Sequence, residues 1–424
     1  MSEKTILVWF RNDLRIHDNE ILLEATKRAD KIVPVFCFDP RYFEETPYGT
    51  RRTGAIRGKF LIESVAALRK SLEQLGGGLI VRTGLPEEVL PEICSVYDVR
   101  EVYHHREVAS RETDISALVE EALWKKQINL KHFIGHTLYH KEDLPFPIKN
   151  IPNDFMTFRK KVERDSVVKP CFDTPSAITV PSGMEAGELP TLAELEIEGN
   201  QLESPSEIYV GGEQEGIIRM NAFLYEATNV KNKSGVQSSS RLSPWLSLGC
   251  LSAREVYWAV KKHRGPEGAS DISKIIAELQ WRDYFRFMLK KHGSAMLGEI
   301  GQDAGLSLEE KKKFDKWRSG HTGVILVDAC MLELNASGYI SDKCRQYVAS
   351  FLVKDMSVSW RAGAAVFEEK SIDYSPASSW GNWAYIVGAG IMSTNRPINI
   401  KPEDISSELA IKNRLALLQG AKCA

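Results

Sequence analysis

The chain has 424 residues, of which 43% are hydrophobic and 26% are charged, values that exclude a disordered, collagen-like or coiled-coil protein. Its 55 Lys and Arg residues nearly balance 57 Asp and Glu residues, which excludes a globally basic nucleic-acid binder but leaves a local basic face open. Seven scattered cysteines without a CxxC pair predict a reducing compartment, no disulfide framework and no zinc site. The first apolar run, residues 5–10, is too short for a signal peptide or a membrane span, so we expect a cytoplasmic protein.

The first 135 residues alternate between short β-rich runs and helical stretches. The predicted strands cover residues 5–10, 31–38, 78–82, 100–104 and 129–134, and the predicted helices cover 20–29, 56–75, 87–97 and 110–126. This alternation predicts right-handed crossovers and a parallel, doubly wound sheet with helices on both faces. No GxGxxG motif follows the first strand, so the fingerprint of nicotinamide dinucleotide binding is absent.

The remainder of the chain changes character twice. Residues 136–215 are rich in proline and acidic residues, which predicts a surface connector with a short helix near residues 154–164. Beyond it the strand patterns vanish, and helices are predicted at 216–227, 253–262, 272–291, 309–319, 324–336, 343–354, 360–367 and 404–418. We therefore predict an α/β domain at 1–135, a connector at 136–215 and an all-helical domain at 216–424.

Two segments of the helical domain carry residue types suited to ligand binding. Residues 238–244 combine serine hydroxyls with Arg241 just before a helix, an arrangement that can hold a phosphate but is also found in an ordinary capped linker. Glu278, Trp281 and Arg282 share one helix face. Such a face can stack on and hydrogen-bond a nucleobase, or it can be an amphipathic helix with a core tryptophan.

Tryptophans are concentrated in the helical domain, where Trp317, Trp360, Trp380 and Trp383 are separated in sequence. Packing in a core explains such residues as well as an electron relay does, and spacing alone leaves both open. The histidines show no metal-ligand spacing, and no GxSxG motif is present, so neither a metal centre nor hydrolytic chemistry is expected.

Several motifs in order resemble the photolyase/cryptochrome family, and within it the cryptochrome DASH branch. The segments are residues 9–19, 240–249, 278–285, 317–323, 327–331, 348–356 and 381–383, and Gln346 stands where this branch usually has Gln. The resemblance implies an FAD inside the helical domain and, on the N-terminal domain near Glu107 and residues 39–42, an antenna that is usually a folate in this branch (5,10-methenyltetrahydrofolate).

Residue by residue, the resemblance also implies functional roles. Flavin-phosphate positions fall on Tyr225, Ser239, Ser240, Arg241, Leu242 and Ser243, and an ion pair beside the isoalloxazine falls on Arg345 and Asp373. The pair that contacts a pyrimidine dimer falls on Glu278 and Trp281. The proximal, middle and distal members of the electron chain fall on Trp383, Trp360 and Trp317.

The chain departs from the family pattern around the flavin. Asp342-Lys343 replaces a usual Asn-Arg pair, Ser375 replaces an Asp, and Ser379 stands where the residue facing flavin N5 is commonly Asn or Asp. The usual C-terminal block, with its Tyr-Asp-Pro and Trp-Leu-Pro-Glu-Leu runs, is missing. Each lost buried hydrogen bond costs roughly 1–3 kcal/mol, so whether FAD is retained stays open at this point.

Three functions follow from the resemblance. The first is a DASH-type deoxyribodipyrimidine photolyase that repairs cyclobutane pyrimidine dimers in single-stranded DNA under blue light, acting as a monomer. The second is a blue-light photoreceptor or redox signalling protein that uses the tryptophans to reduce the flavin. The third is a family member that has lost FAD and serves as a binding protein.

Overall fold

The computed structural model describes residues 3–198, 209–229, 240–263, 270–297, 305–388, 402–406 and 409–422. It begins with five strands, β1 (Thr5–Phe10), β2 (Lys31–Phe38), β3 (Ile80–Thr83), β4 (Val99–His105) and β5 (Asn129–Phe133). They form one parallel sheet in the order β3-β2-β1-β4-β5. The connecting helices are α1 (Glu20–Arg28), α2 (Ala55–Gln74), α3 (Pro86–Val96) and α4 (Ser110–Trp124), so the predicted doubly wound sheet is confirmed.

The central strand β1 is buried on both faces of the sheet. Successive side chains point to opposite faces, and each set packs into a different core. Ile6, Val8 and Phe10 join the core shared with α2 and with the later helices. Leu7 and Trp9 join a second core under α3 and α4. The loops after the parallel strands therefore emerge at one edge of the sheet, where ligands bind in folds of this kind.

The connector is irregular except for α5 (Phe155–Asp165), which Asp154 caps by accepting from the Thr157 backbone N–H at 2.8 Å. This helix matches the prediction within one residue. The first long helix of the next part, α6 (Glu213–Asn229), begins three residues before the predicted boundary. Its Glu213 carboxylate accepts backbone N–H groups of Ile16 and His17 at 3.0 Å, so α6 is tied to the loop after β1.

The remaining elements are helical. They are α7 (Ser243–Ser247), α8 (Ala253–Lys262), α9 (Ser270–His292), α10 (Leu308–Arg318), α11 (Ile325–Ser337), α12 (Asp342–Lys354), α13 (Trp360–Lys370), α14 (Pro376–Val387), α15 (Pro402–Ser406) and α16 (Leu409–Lys422). No strand occurs in the described residues beyond 209. One expectation was wrong, because α14 was not predicted. Helices α15 and α16 overlap the helix expected at 404–418, and residues 407–408 between them lie outside the described residues.

Two hydrophobic cores hold the helical part in place. One joins α9 and α8 to the sheet through residues such as Phe285 and Val256. The other lies among α10 to α14 and includes Trp317, Val348 and Trp383. Within the described residues, we find no helix that combines the length and apolar character needed to span a membrane.

Candidate FAD and substrate cavity

A cavity of about 500 Å³ opens in the helical part of the molecule. Its walls come from the segment before α7, from α9, from the start of α12 and from α14, with Phe155 of α5 at one side. The predicted residues that line it are Ser240, Arg241, Leu242, Ser243, Glu278, Trp281, Arg345, Asp373, Ser375, Ser379 and Trp383. Residues drawn from six sequence segments therefore meet in one place.

An ion pair forms the back of this cavity. The Arg345 guanidinium donates to Asp373 Oδ2 at 2.7 Å, and the Ser243 hydroxyl donates to the same oxygen at 2.8 Å. Burial lowers the pKa of Arg345, but the neighbouring carboxylates of Asp373 and Asp342 outweigh it and raise this pKa overall. Asp373 Oδ1 is buried and has no hydrogen-bond partner among the described residues, so it remains available to a ligand.

The predicted phosphate segment is held in a special backbone conformation. Arg241 has a φ of 54°, in the left-handed region that is strained for a residue with a side chain. The preceding carbonyl, Ser240 O, accepts from Arg219 Nε of α6 at 3.1 Å. Ser239 lies outside the described residues, and Tyr225 is 68% exposed on α6 and is not among the residues that line the cavity.

Glu278 and Trp281 lie on the cavity-facing side of α9, as their spacing predicts. The Trp281 indole N–H donates to Asn382 Oδ1 of α14 at 3.2 Å. Phe155 meets the Trp281 ring edge-on, with centroids 4.3 Å apart. Tyr284, Phe285 and Tyr385 also pack against the indole, with centroids 5.8, 4.9 and 5.5 Å away, so Trp281 is held firmly where it lines the cavity.

The two carboxyl groups at the same end of the cavity are electrostatically unusual. Burial and the neighbouring Asp342 carboxylate together raise the pKa of Glu278 to about 7, against the opposing effect of Lys274. Burial also raises the pKa of Asp342, although Arg345 acts against it. Both side chains are reached by solvent through the open cavity, so an occupant that excludes water would strengthen these shifts.

Close packing of α14 against its neighbours depends on two glycines. A β carbon at Gly381 would lie 2.5 Å from the Phe285 ring of α9, and one at Gly363 of α13 would clash with the Trp383 ring. The absence of side chains there lets three helices approach each other.

At the start of α14, the Ser375 N–H donates to the Ser379 hydroxyl at 3.4 Å, so these two serines partly satisfy each other.

The tryptophans form two contact pairs. Trp317 and Trp383 are edge-to-face with centroids 6.3 Å apart, and Trp360 meets Trp380 at 5.8 Å. The predicted order places Trp360 between Trp383 and Trp317, whereas the structure puts Trp317 in direct contact with Trp383. Trp317 is 0% exposed and donates to Val348 O at 3.0 Å, which is the environment of a core residue.

Sequence reasoning missed three contributors to the site. Asn382 lies in a family motif but received no role, Phe155 was assigned to the connector, and Ser378 received no role although it also lines the cavity. Trp380, which the sequence groups with the other tryptophans, contacts Trp360 and is not among the residues that line the cavity. In the described residues no group of His, Cys, Asp and Glu side chains has the arrangement of a metal site.

Comparison with known proteins agrees with this arrangement. Residues 6–176 match DNA photolyase and residues 275–407 match the FAD binding domain of DNA photolyase. A cryptochrome DASH of Gloeobacter violaceus is 42% identical over 92% of this chain and 80% of its own length. A cryptochrome DASH of Xenopus laevis is 39% identical over 92% of this chain and 77% of its own length.

Solved structures of similar proteins share the fold of this chain. A Synechocystis sp. cryptochrome has a TM-score of 0.87 at 37% identity and covers 98% of this chain and 89% of its own. A class III photolyase from Agrobacterium tumefaciens has a TM-score of 0.83 at 25% identity, covering 98% and 87%. The chain belongs to the photolyase/cryptochrome family. Relatives of 36–42% identity named cryptochrome DASH confirm the predicted branch.

The cavity suits the FAD that this domain type binds. Its volume falls in the usual range of roughly 300–1,000 Å³ for ligand pockets. Asp373 Oδ1 and Ser378 Oγ are buried polar atoms without partners among the described residues, and such atoms normally carry a hydrogen bond. A ligand that offers hydrogen-bond donors at the back of the cavity, as a flavin ring does, satisfies them.

Proposed function

We propose that this protein is a DASH-type photolyase that repairs cyclobutane pyrimidine dimers in single-stranded DNA under blue light. The observation that carries the proposal is the meeting of Glu278 and Trp281 with the Arg345–Asp373 pair in one cavity. One end of this cavity suits a pyrimidine and the other suits a flavin. FAD, when bound and reduced, supplies the electron for light-driven splitting of the dimer.

The protein's own residues would position the dimer. The flat Trp281 indole, fixed by Asn382 and Phe155, offers a stacking surface for a base turned out of the strand. Glu278 offers a hydrogen bond to the polar edge of the pyrimidine. Filling the cavity excludes water, which strengthens both interactions in the lower dielectric.

The cavity end would be completed by the Arg345–Asp373–Ser243 cluster. In the proposed complex, Asp373 Oδ1 would accept a hydrogen bond from the flavin ring, while Oδ2 stays with Arg345 and Ser243. Ser240, Arg241 and Leu242, with Ser239, would hold the diphosphate through hydroxyl, backbone and guanidinium donors. Ser375 and Ser379 would contribute to the flavin shell, whereas the exposure of Tyr225 makes it a peripheral member.

Single-stranded DNA is the favoured substrate for an energetic reason. A dimer must leave the base stack to enter the cavity, and extrusion costs less when no complementary strand holds it. The branch resemblance supports the same substrate preference.

The predicted folate antenna would have to bind in a narrow cleft. The cleft near Glu107, Asp39 and Tyr42 has a volume of about 100 Å³, below the usual range for ligand pockets. Glu107 is already engaged, because its carboxylate accepts from Asn12 at 2.8 Å and from Arg286 at 2.7 Å. The repair reaction proposed for this protein does not require an antenna.

Photorepair of a defined oligonucleotide tests the proposal. Full-length protein carrying reduced FAD is mixed with a single-stranded oligonucleotide that contains one thymine dimer, in blue light and in the dark, and restored thymines are counted by chromatography. We expect repair only in the light and a large loss in Glu278→Gln. Absence of repair by the wild-type protein with FAD fully bound would overturn the proposal.

A second candidate function, flavin photoreduction for redox signalling, is favoured by the tryptophan arrangement. Trp383 lines the cavity, Trp380 is three residues before it on α14, and Trp380 contacts the half-buried Trp360. In this proposal an electron would pass from Trp360 through Trp380 to Trp383, and the step between the last two rings would cross one turn of α14 without a direct ring contact. The third hypothesis, a binding protein without flavin, predicts that purified protein shows no flavin absorption and takes up no added FAD.

A further inference from the structure

A strip of exposed side chains leads away from the cavity along α5. Phe155, the first residue of this helix, lines the cavity, and Met156 beside it is 59% exposed. Lys160 and Arg164 are exposed and follow Met156 at steps of four residues, so the three side chains share one face of the helix. Val167, which is 78% exposed, comes just after the helix ends.

The far end of this strip meets an aromatic surface on α8, the Trp258 platform, which consists of Tyr257, Trp258 and Lys261. The Trp258 ring is 41% exposed, and its indole N–H donates to the carbonyl of Lys169, two residues after Val167, at 3.0 Å. Tyr257 meets Trp258 edge-on with centroids 5.1 Å apart, and the Lys261 ammonium lies 5.4 Å from the centroid of the Tyr257 ring. A large aromatic ring is therefore held in place while part of it stays open to solvent.

The charges along this surface favour an anionic partner. The carboxylates of Glu163 and Asp165 accept from neighbouring arginines at 2.9 and 2.7 Å, so their charge is already balanced. Lys160 and Lys262 are exposed and have no carboxylate partner among the described residues. Unbalanced lysines beside an open aromatic ring are the combination that binds single-stranded nucleic acid, whose phosphates meet the cations while its unpaired bases stack on the ring.

The length of the path suits a few nucleotides. The 11 residues of α5 span about 16 Å at 1.5 Å per residue. Stacked nucleotides rise about 3.4 Å each, so roughly four or five of them cover the helix. The three platform residues do not line the cavity, so a strand can occupy the cavity and the platform at the same time.

We propose that the Trp258 platform holds unpaired bases of the strand that flanks the dimer, roughly four or five nucleotides from the lesion. A base stacks on Trp258, and Lys160 and Lys262 contact phosphates on the way to it. The platform rests on the proposed repair function, which places the dimer in the cavity. It adds a reason for a single-stranded substrate, because bases that are paired in a duplex cannot stack on Trp258.

The experiment measures by fluorescence anisotropy how holoprotein binds single-stranded oligonucleotides with one thymine dimer, flanked by about two nucleotides on each side or by about ten on the 5′ or the 3′ side. We expect one long flank to tighten binding by about tenfold, and Trp258→Ala to remove most of this gain, since stacking of one base is worth about fivefold to a hundredfold. Trp258→Phe keeps a stacking surface and should keep most of the gain. Trp124→Ala removes a 78% exposed tryptophan of α4 and is the matched control, for which we expect no change. FAD absorption checks that each variant is folded.

The outcomes separate the platform from the proposed function. Long flanks that add no affinity, or a gain that persists in Trp258→Ala, overturn the platform, and so does an equal loss with the short oligonucleotide. A gain that survives when a complementary strand pairs the flank also overturns it, because phosphate contacts alone then explain the binding. In each of these cases a preference for the dimer over an undamaged strand leaves the repair proposal standing. No such preference at any length contradicts both.

Discussion

At the scale of single residues, Asp373 is the side chain on which the flavin end of the cavity most depends. It receives Arg345 and Ser243 at one oxygen and leaves the other open. We expect Asp373→Asn to weaken FAD binding by about tenfold to a hundredfold, because a hydrogen bond to a charged group is worth roughly 1.5–3 kcal/mol. Titration of FAD into apoprotein measures it, with exposed Asp355→Asn as the control. Unchanged affinity would remove Asp373 from the site.

The tryptophan contacts lead to a prediction that ranks three variants. We expect Trp383→Phe to slow flavin photoreduction by about tenfold or more, a barrier increase of roughly 1.4 kcal/mol. Trp360→Phe should also slow it, because Trp360 is the solvent-side member of its pair. Trp317→Phe should have the smallest effect, since Trp317 is fully buried and cannot exchange an electron directly with a reductant in solvent. Transient absorption measures the rates, and a larger effect of Trp317→Phe than of Trp360→Phe would restore the predicted order.

At the scale of secondary structure, helix α14 shows where sequence reasoning stops. Its sequence PASSWGNWAYIV contains Ser, Gly and aromatic residues, which are weak helix formers. Tertiary packing determines it instead, since Gly381 allows contact with α9 and Pro376 fits the first turn. The strongly periodic helix near residues 56–75 needed no such context and was predicted within one residue at each end.

Asp18 links three separate elements. Its carboxylate pairs with Arg254 of α8 at 2.7 Å, accepts from the Phe172 backbone N–H of the connector at 2.9 Å, and contacts Ser252. Asp18 is fully buried. Asp18→Asn keeps the shape but leaves Arg254 without its counter-ion, so we expect a loss of about 3 kcal/mol in the free energy of unfolding. Urea denaturation beside Asp355→Asn checks this, and equal midpoints would contradict it.

At the scale of the whole molecule, a buried polar network joins the sheet to α9. Asp13 pairs with His105 at 2.6 Å, and Glu107 contacts His136 at 3.3 Å and Arg286 at 2.7 Å. Burial acts to raise the pKa of Glu107, but the surrounding cationic groups hold it below its usual value. No sequence spacing predicts this network, because it joins segments more than 170 residues apart.

The same network makes stability depend on pH in a definite direction. Burial lowers the pKa of His136 to about 3, below its value of about 6.5 in an unfolded chain. Between these values the unfolded chain binds a proton that the folded protein does not. Stability contributed by a neutral His136 is therefore present above about pH 6.5 and is lost on acidification, by roughly 1.4 kcal/mol per pH unit.

We expect the free energy of unfolding to fall from about pH 6.5 to 5, and to fall less steeply in His136→Asn, which has no proton to gain. Urea denaturation at both pH values, with the exposed His263→Asn as the matched control, measures the slopes. Identical slopes in wild type and His136→Asn would show that this histidine is not the group responsible.

The sequence predicts the fold more completely than it predicts the contacts within the site, and the reason is physical. The sheet and most helices follow from local periodicity, and motif resemblance identified the Arg345–Asp373 pair that the structure shows at 2.7 Å. The contacts of Trp317 and the fixing of Trp281 by Phe155 and Asn382 depend on how distant helices pack. Contacts between helices that are far apart in sequence leave no pattern within a short stretch of residues, so the sequence does not predict them.

The central claim is that a pyrimidine dimer and the flavin bind together in one cavity. The measurement is the fluorescence of bound, reduced FAD as a dimer-containing single-stranded oligonucleotide is added, with the undamaged oligonucleotide as reference. We expect the damaged strand to quench the emission strongly and the undamaged strand to leave it nearly unchanged, because electron transfer needs close contact. Full binding of the damaged strand with unchanged emission would contradict the account.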